Sequence, residues 1–66
     1  MNATAGKQFL SAKDIGAMLG VEPRSVLRWA ALRIDDFPAP AISRPRCKRW
    51  RRSVIEDWVR EQERRR

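Results

Sequence analysis

Gly20 and Pro23 stand three positions apart, and together they force a corner into the chain. Gly takes the left-handed conformation that ends a helix without steric cost. Pro has its φ fixed near the helical value and lacks the N–H that a first helical turn leaves unpaired anyway. One helix therefore ends at Leu19 and another opens at Pro23, with only Gly20-Val21-Glu22 between them. Upstream, Ser11 and Asp14 have the spacing of a capping box, with Asp in place of the usual Glu. Ala12, Ile15, Met18 and Leu19 follow at helical spacing and make one apolar face. The spacing predicts a first helix over 12–19 and a second over 23–33.

Beyond the second helix, Asp35, Asp36, Pro38, Pro40 and Pro45 exclude a long helix over 35–46. Two short strands, Ala39 to Ser43 and Arg46 to Arg49, are expected around a turn at Arg44-Pro45, with Trp50 past the second strand. Ser53 and Glu56 form a capping box, and Val54, Ile55, Trp58 and Val59 make one apolar stripe. A third helix is predicted over 54–63, ending in basic residues 64–66 that suit the negative end of its dipole. Residues 1–8 are small and polar and read as a flexible lead-in to a single domain over 9–63. The expected fold class is mainly α with a small β-hairpin. A domain of 66 residues buries only about 60% of the surface of its unfolded chain. It needs large side chains, and Trp29 and Trp58, on the apolar faces of their helices, are assigned to the core.

With no His and one Cys, Cys47, the chain offers no internal disulfide, no zinc site and no Ser/His or Cys/His pair. Neither catalysis nor a cofactor is expected. No stretch approaches the roughly 18 apolar residues of a membrane span, and the N-terminus lacks the apolar segment of a signal peptide. A cytoplasmic protein is expected. The net charge is +7, from 15 Lys and Arg against 8 Asp and Glu. Arg supplies 12 of the cations, and its flat fork suits phosphate and guanine edges better than a Lys ammonium does. That excess is the electrostatic footprint of a nucleic-acid binder; an anionic membrane or an acidic protein would meet the same surface.

The second helix carries most of the information. With Val26 at the centre of its buried face, Arg24 and Arg28 both lie about 160° away and Ser25 about 100° away. Any amphipathic helix must expose something polar. Two Arg at i, i+4 repel each other, however, and no acid lies within this helix to offset them. The start of the second helix of a helix-turn-helix is also where base edges and phosphates are touched. Arg24, Ser25 and Arg28 are therefore the candidate DNA-binding residues of this element.

The run "RPRCKRWRR" over 44–52 holds six cations in nine residues. Most charge runs are solvated surface. Here Arg44 and Arg46 flank a predicted hairpin tip, from which side chains reach outward. Arg44, Arg46 and Lys48 are assigned to the DNA backbone or a narrow minor groove. Arg49, Arg51 and Arg52 are expected to solvate the turn into the third helix. The three Trp are read as core rather than as a stacking platform for single-stranded bases.

Taken in order, "LSAKDIGAMLGVEPRSVLRWA", "FPAPAI" and "KRWRRSVIEDWV" resemble the AlpA/excisionase group of small MerR-like winged helix-turn-helix proteins, over residues 9–60. Glu22 stands where such proteins often carry Ser or Thr, and Pro45 where Gly is common. The resemblance implies three helices plus a wing, with the second helix in the major groove of double-stranded DNA and the hairpin on the backbone or adjacent minor groove. It also implies an excisionase-like recombination directionality factor, which bends attachment-site DNA so that an integrase excises the element. An AlpA-like transcriptional regulator of a prophage or mobile element is the alternative; the small size favours the first, since little chain remains for an effector domain. The expected partners are double-stranded DNA, further copies of the chain side by side along it, and an integrase. The rival from another class is a small basic protein-interaction module or inhibitor.

Overall fold

The computed structural model describes residues 7–65. In chain order it contains β1 (Phe9–Leu10), α1 (Ala12–Leu19), α2 (Pro23–Leu32), a 3-10 turn (Ile34–Asp36), β2 (Ile42–Arg44), β3 (Cys47–Arg51) and α3 (Arg52–Arg64). The strands make one antiparallel sheet in the order β1-β3-β2. Three helices and a three-stranded sheet agree with the mainly α fold expected.

The corner between α1 and α2 forms as its residues dictate. The Ser11 side chain accepts from the Asp14 N–H at 3.1 Å, and the Asp14 carboxylate accepts from the Ser11 N–H at 3.0 Å, which completes the capping box. Gly20 closes α1 with φ 72, and Pro23 opens α2. A second glycine fixes the approach of the two helices. A Cβ on Gly16 would lie 2.5 Å from the Val21 carbonyl oxygen, so only Gly lets the corner fold back onto α1. The buried side of α1 is consequently centred on Ile15 and Gly16, and Met18, expected on the apolar face, is rotated outward to 38% exposure.

Asp14 is held below the ordinary carboxylate value, first by the Ser11 backbone N–H and then by Lys7, whose Nζ lies 3.3 Å away; partial burial opposes both. Its folded value is depressed, so its contribution is complete above about pH 4, the unfolded value. It is lost as pH falls through the lower folded value. Urea titrations of Asp14→Asn are expected to show a shallower loss of stability with acid below about pH 4 than wild type. At neutral pH, Ser11→Ala is expected to cost about 1 kcal/mol.

The sheet is where structure and expectation part. β1 is not among the expected elements. It pairs Phe9 with Arg51 and Leu10 with Trp50, and so makes β3 the central strand. Trp50 therefore sits inside the strand, fully buried, rather than beyond it. β2 starts only at Ile42, because Pro38 and Pro40 precede it and Pro cannot donate to a ladder. Of the expected lead-in, residues 1–6 lie outside the described residues. Lys7 pairs with Asp14, and the Gln8 carbonyl accepts from the Arg52 N–H at 2.8 Å.

That last bond also moves the start of α3. The helix opens at Arg52 directly from the strand, with Arg51 as an N-cap that makes no side-chain capping bond, so the expected Ser53/Glu56 box does not form. Glu56 instead pairs with Arg52 Nε at 3.1 Å. Val54, about 100° from Ile55 around the axis, is 41% exposed rather than part of the buried stripe.

The core consists of Leu10, Ile15, Val26, Phe37, Trp50 and Ile55. Phe37 is its hub. Its ring meets those of Trp29, Trp50 and Trp58 edge-on, at centroid distances of 6.0, 6.1 and 4.9 Å. Trp29 and Trp58, assigned to the core from sequence, are half-buried and pack against it. Two indoles hold the irregular segment that carries Phe37. Trp50 Nε1–H donates to the Pro38 carbonyl at 2.9 Å, and Trp58 Nε1–H to the Asp35 carbonyl at 3.0 Å.

Candidate nucleic-acid interface

The charges of this small surface are sorted by element. Three of the four acids of α3 pair with cations of the helix or its C-cap: Glu56 with Arg52, Asp57 with Arg60, and Glu61 with Arg64 and Arg65. Asp36 in the 3-10 turn reaches Arg65 at 3.7 Å. Arg66 lies outside the described residues. Among the described residues, Lys13, Arg28, Arg33, Arg44, Arg46, Lys48, Arg49 and Arg51 make no ion pair. The uncompensated positive charge therefore lies on the helix pair and the hairpin, away from α3.

On α2, Val26 is fully buried, and Arg24 and Arg28 project from the opposite face as its periodicity requires. The Arg24 side chain is 89% exposed and lies 3.8 Å from the Glu22 carboxylate, itself 77% exposed, a loose and well-solvated pair. Arg28 is exposed without an acid. Ser25 is half-buried at the edge of the face.

The hairpin tip is the loop Pro45-Arg46 between the paired Arg44 and Cys47. Pro excludes the type I′ and II′ turns common in two-residue hairpins, since both need a positive φ at the first loop position. The positive φ falls on Arg46 instead, at 61, following the order of a type II turn. Gly usually fills that position; here a cation does. Arg44 and Arg46 are exposed and Lys48 is half-buried.

One open groove of about 280 Å³ brings the elements together. It is lined by Ser11, Ala12 and Lys13 at the start of α1, Leu27 of α2, and Arg46, Cys47, Lys48 and Arg49 of the hairpin. Of the residues assigned from sequence, Arg46 and Lys48 line it; Arg24, Ser25, Arg28 and Arg44 lie outside its lining. Lys13, Leu27 and Arg49 are additions. Lys13 carries a weak signal, as a lone cation off the apolar face of its helix, but nothing local says that this face meets the hairpin. Arg49, expected only to solvate the turn into the last helix, lines the groove and donates from Nη1 to the Lys48 carbonyl at 2.9 Å. The other two cations of that turn are engaged, Arg51 over the Phe9 ring at 5.1 Å and Arg52 with Glu56.

Among the described residues, no three His, Cys, Asp or Glu side chains converge to hold a metal, and no helix is long and apolar enough to cross a membrane. No protein-family model, curated protein or solved structure matches the chain.

Proposed function

We propose that this chain is a double-stranded DNA-binding protein of the winged helix-turn-helix kind, without catalysis, and that it acts as an excisionase-like architectural factor. In this reading α2 enters the major groove, with Arg28 at a base edge and Arg24 and Ser25 toward the backbone. The β2–β3 hairpin is the wing, and Arg44, Arg46 and Lys48 meet phosphates or the adjacent minor groove. Copies bound side by side bend the duplex and present it to an integrase. The observation that carries the reading is the sorting of charge: acids compensate α3, while among the described residues Arg28 of α2 and Arg44 of the hairpin make no ion pair, and Lys13, Arg46, Lys48 and Arg49, also without ion pairs, line one groove. A polyanion is the partner that completes such a surface.

Fluorescence anisotropy on a duplex selected from a random pool, and on random duplex, tests it. Arg28→Ala is expected to cost about 1–3 kcal/mol on the selected duplex and much less on the random one. Equal loss on both makes Arg28 a phosphate contact. Absence of duplex binding by wild type at moderate salt identifies a protein-interaction module instead. Bending, read from the mobility of circularly permuted duplexes, separates the architectural role from simple operator binding.

A further inference from the structure

We infer that Leu27 reads thymine, packing its side chain on the 5-methyl group that projects into the major groove; this rests on the duplex-DNA reading of α2. Leu27 is apolar yet 41% exposed, and it belongs neither to the buried core nor to the hydrophobic side chains packed against it. Its isobutyl group is therefore no part of the core packing. Leu27 lies about 60° around the helix from Arg24 and about 100° from Arg28 and from Val26, so it stands at the edge of the outward face, next to Arg24. Its other flank lines the groove beside Lys13, Arg46 and Lys48.

A single exposed Leu is ordinary on a protein surface. An exposed Leu ringed by unpaired cations is a more specific arrangement. The cations repel one another and gather phosphates. A duplex drawn onto them sets its base edges against whatever lies between. Thymine presents the one apolar group among those edges, its C5-methyl, while guanine presents acceptors suited to Arg. The outward face of α2 thus offers a guanidinium for guanine and, beside it, a branched alkyl group for thymine. Because Leu27 lies outside the core, its truncation is expected to leave the fold standing.

Duplexes selected by the full chain from a random pool are resynthesised with deoxyuridine at each thymine in turn, which removes only the methyl group, and are titrated by fluorescence anisotropy. At one or two neighbouring thymines the change is expected to weaken wild type about fourfold, the equivalent of about 0.8 kcal/mol for one buried carbon. Leu27→Ala, folded by circular dichroism, is expected to bind the thymine and uridine forms equally. A wild type that binds its selected duplex specifically but is indifferent to uridine at every position overturns the inference. So does a folded Leu27→Ala that keeps the thymine preference. Wild type that binds no duplex overturns the DNA reading, and the inference with it.

Discussion

Trp50→Ala is expected to unfold the protein at neutral pH, with a loss of about 3–5 kcal/mol. Trp50 is fully buried, on the central strand, with Leu10 of β1 opposite it. Truncation removes the largest side chain of the core and opens a cavity between sheet and helices. It also takes away the N–H that satisfies the Pro38 carbonyl at 2.9 Å. That bond holds the segment carrying Phe37, whose ring lies 6.1 Å from Trp50, so the damage spreads to the hub of the core. Domains hold roughly 5–15 kcal/mol in total, and a short chain sits low in that range. Trp50→Phe separates packing from hydrogen bonding: it keeps an aromatic ring and loses the donor, for an expected cost of about 1–3 kcal/mol. Trp58→Ala is expected to cost less than Trp50→Ala, because Trp58 is only half-buried. Urea melts followed by circular dichroism rank the three. A Trp58→Ala protein less stable than Trp50→Ala would mean that α3, rather than the sheet, anchors the core.

The helix pair is legible in the sequence because its signals are local. Ser11, Asp14, Gly20 and Pro23 each act within one turn of themselves, and α1 and α2 begin where those residues place them. The outward direction of Arg24 and Arg28 is legible for the same reason, since 3.6-residue periodicity fixes it once Val26 is buried. What escapes a local reading is non-local. Phe9 and Leu10 are too short a run to announce a strand, and they become one only because β3 offers an edge. That pairing extends β3 to Arg51, buries Trp50 and starts α3 at Arg52, which disables the Ser53/Glu56 box. One unseen strand accounts for three misplaced features. The groove that joins Lys13 and Leu27 to the hairpin is likewise tertiary, and no local spacing encodes it.

The double variant Arg44→Ala, Arg46→Ala is expected to flatten the slope of log K against log[salt] by roughly 1–2 units, at about 0.9 for each phosphate that is no longer neutralised. Hydrogen bonds to charged groups contribute about 1.5–3 kcal/mol each, so affinity at low salt should fall at least a hundredfold if both Arg side chains hold phosphates. Both are exposed and make no ion pair among the described residues, so nothing in the fold depends on their charge. Arg46 has φ 61, and Ala meets the same left-handed strain there as Arg, so the tip is not reshaped. The matched control is Arg60→Ala with Arg64→Ala, which removes as much charge from α3, where Asp57 and Glu61 already compensate it. The slope of the control is expected to stay near that of wild type. Salt titrations on one duplex, with circular dichroism on each protein, separate the cases. Equal flattening in both variants would mean that DNA senses only net charge. An unchanged slope in a folded hairpin variant would make Arg44 and Arg46 solvated surface and leave recognition to α2. A loss confined to the hairpin variant would tie two of the six cations of 44–52 to the polyanion through their place at the tip, since the same run also contains Arg51 and Arg52, already engaged by Phe9 and Glu56.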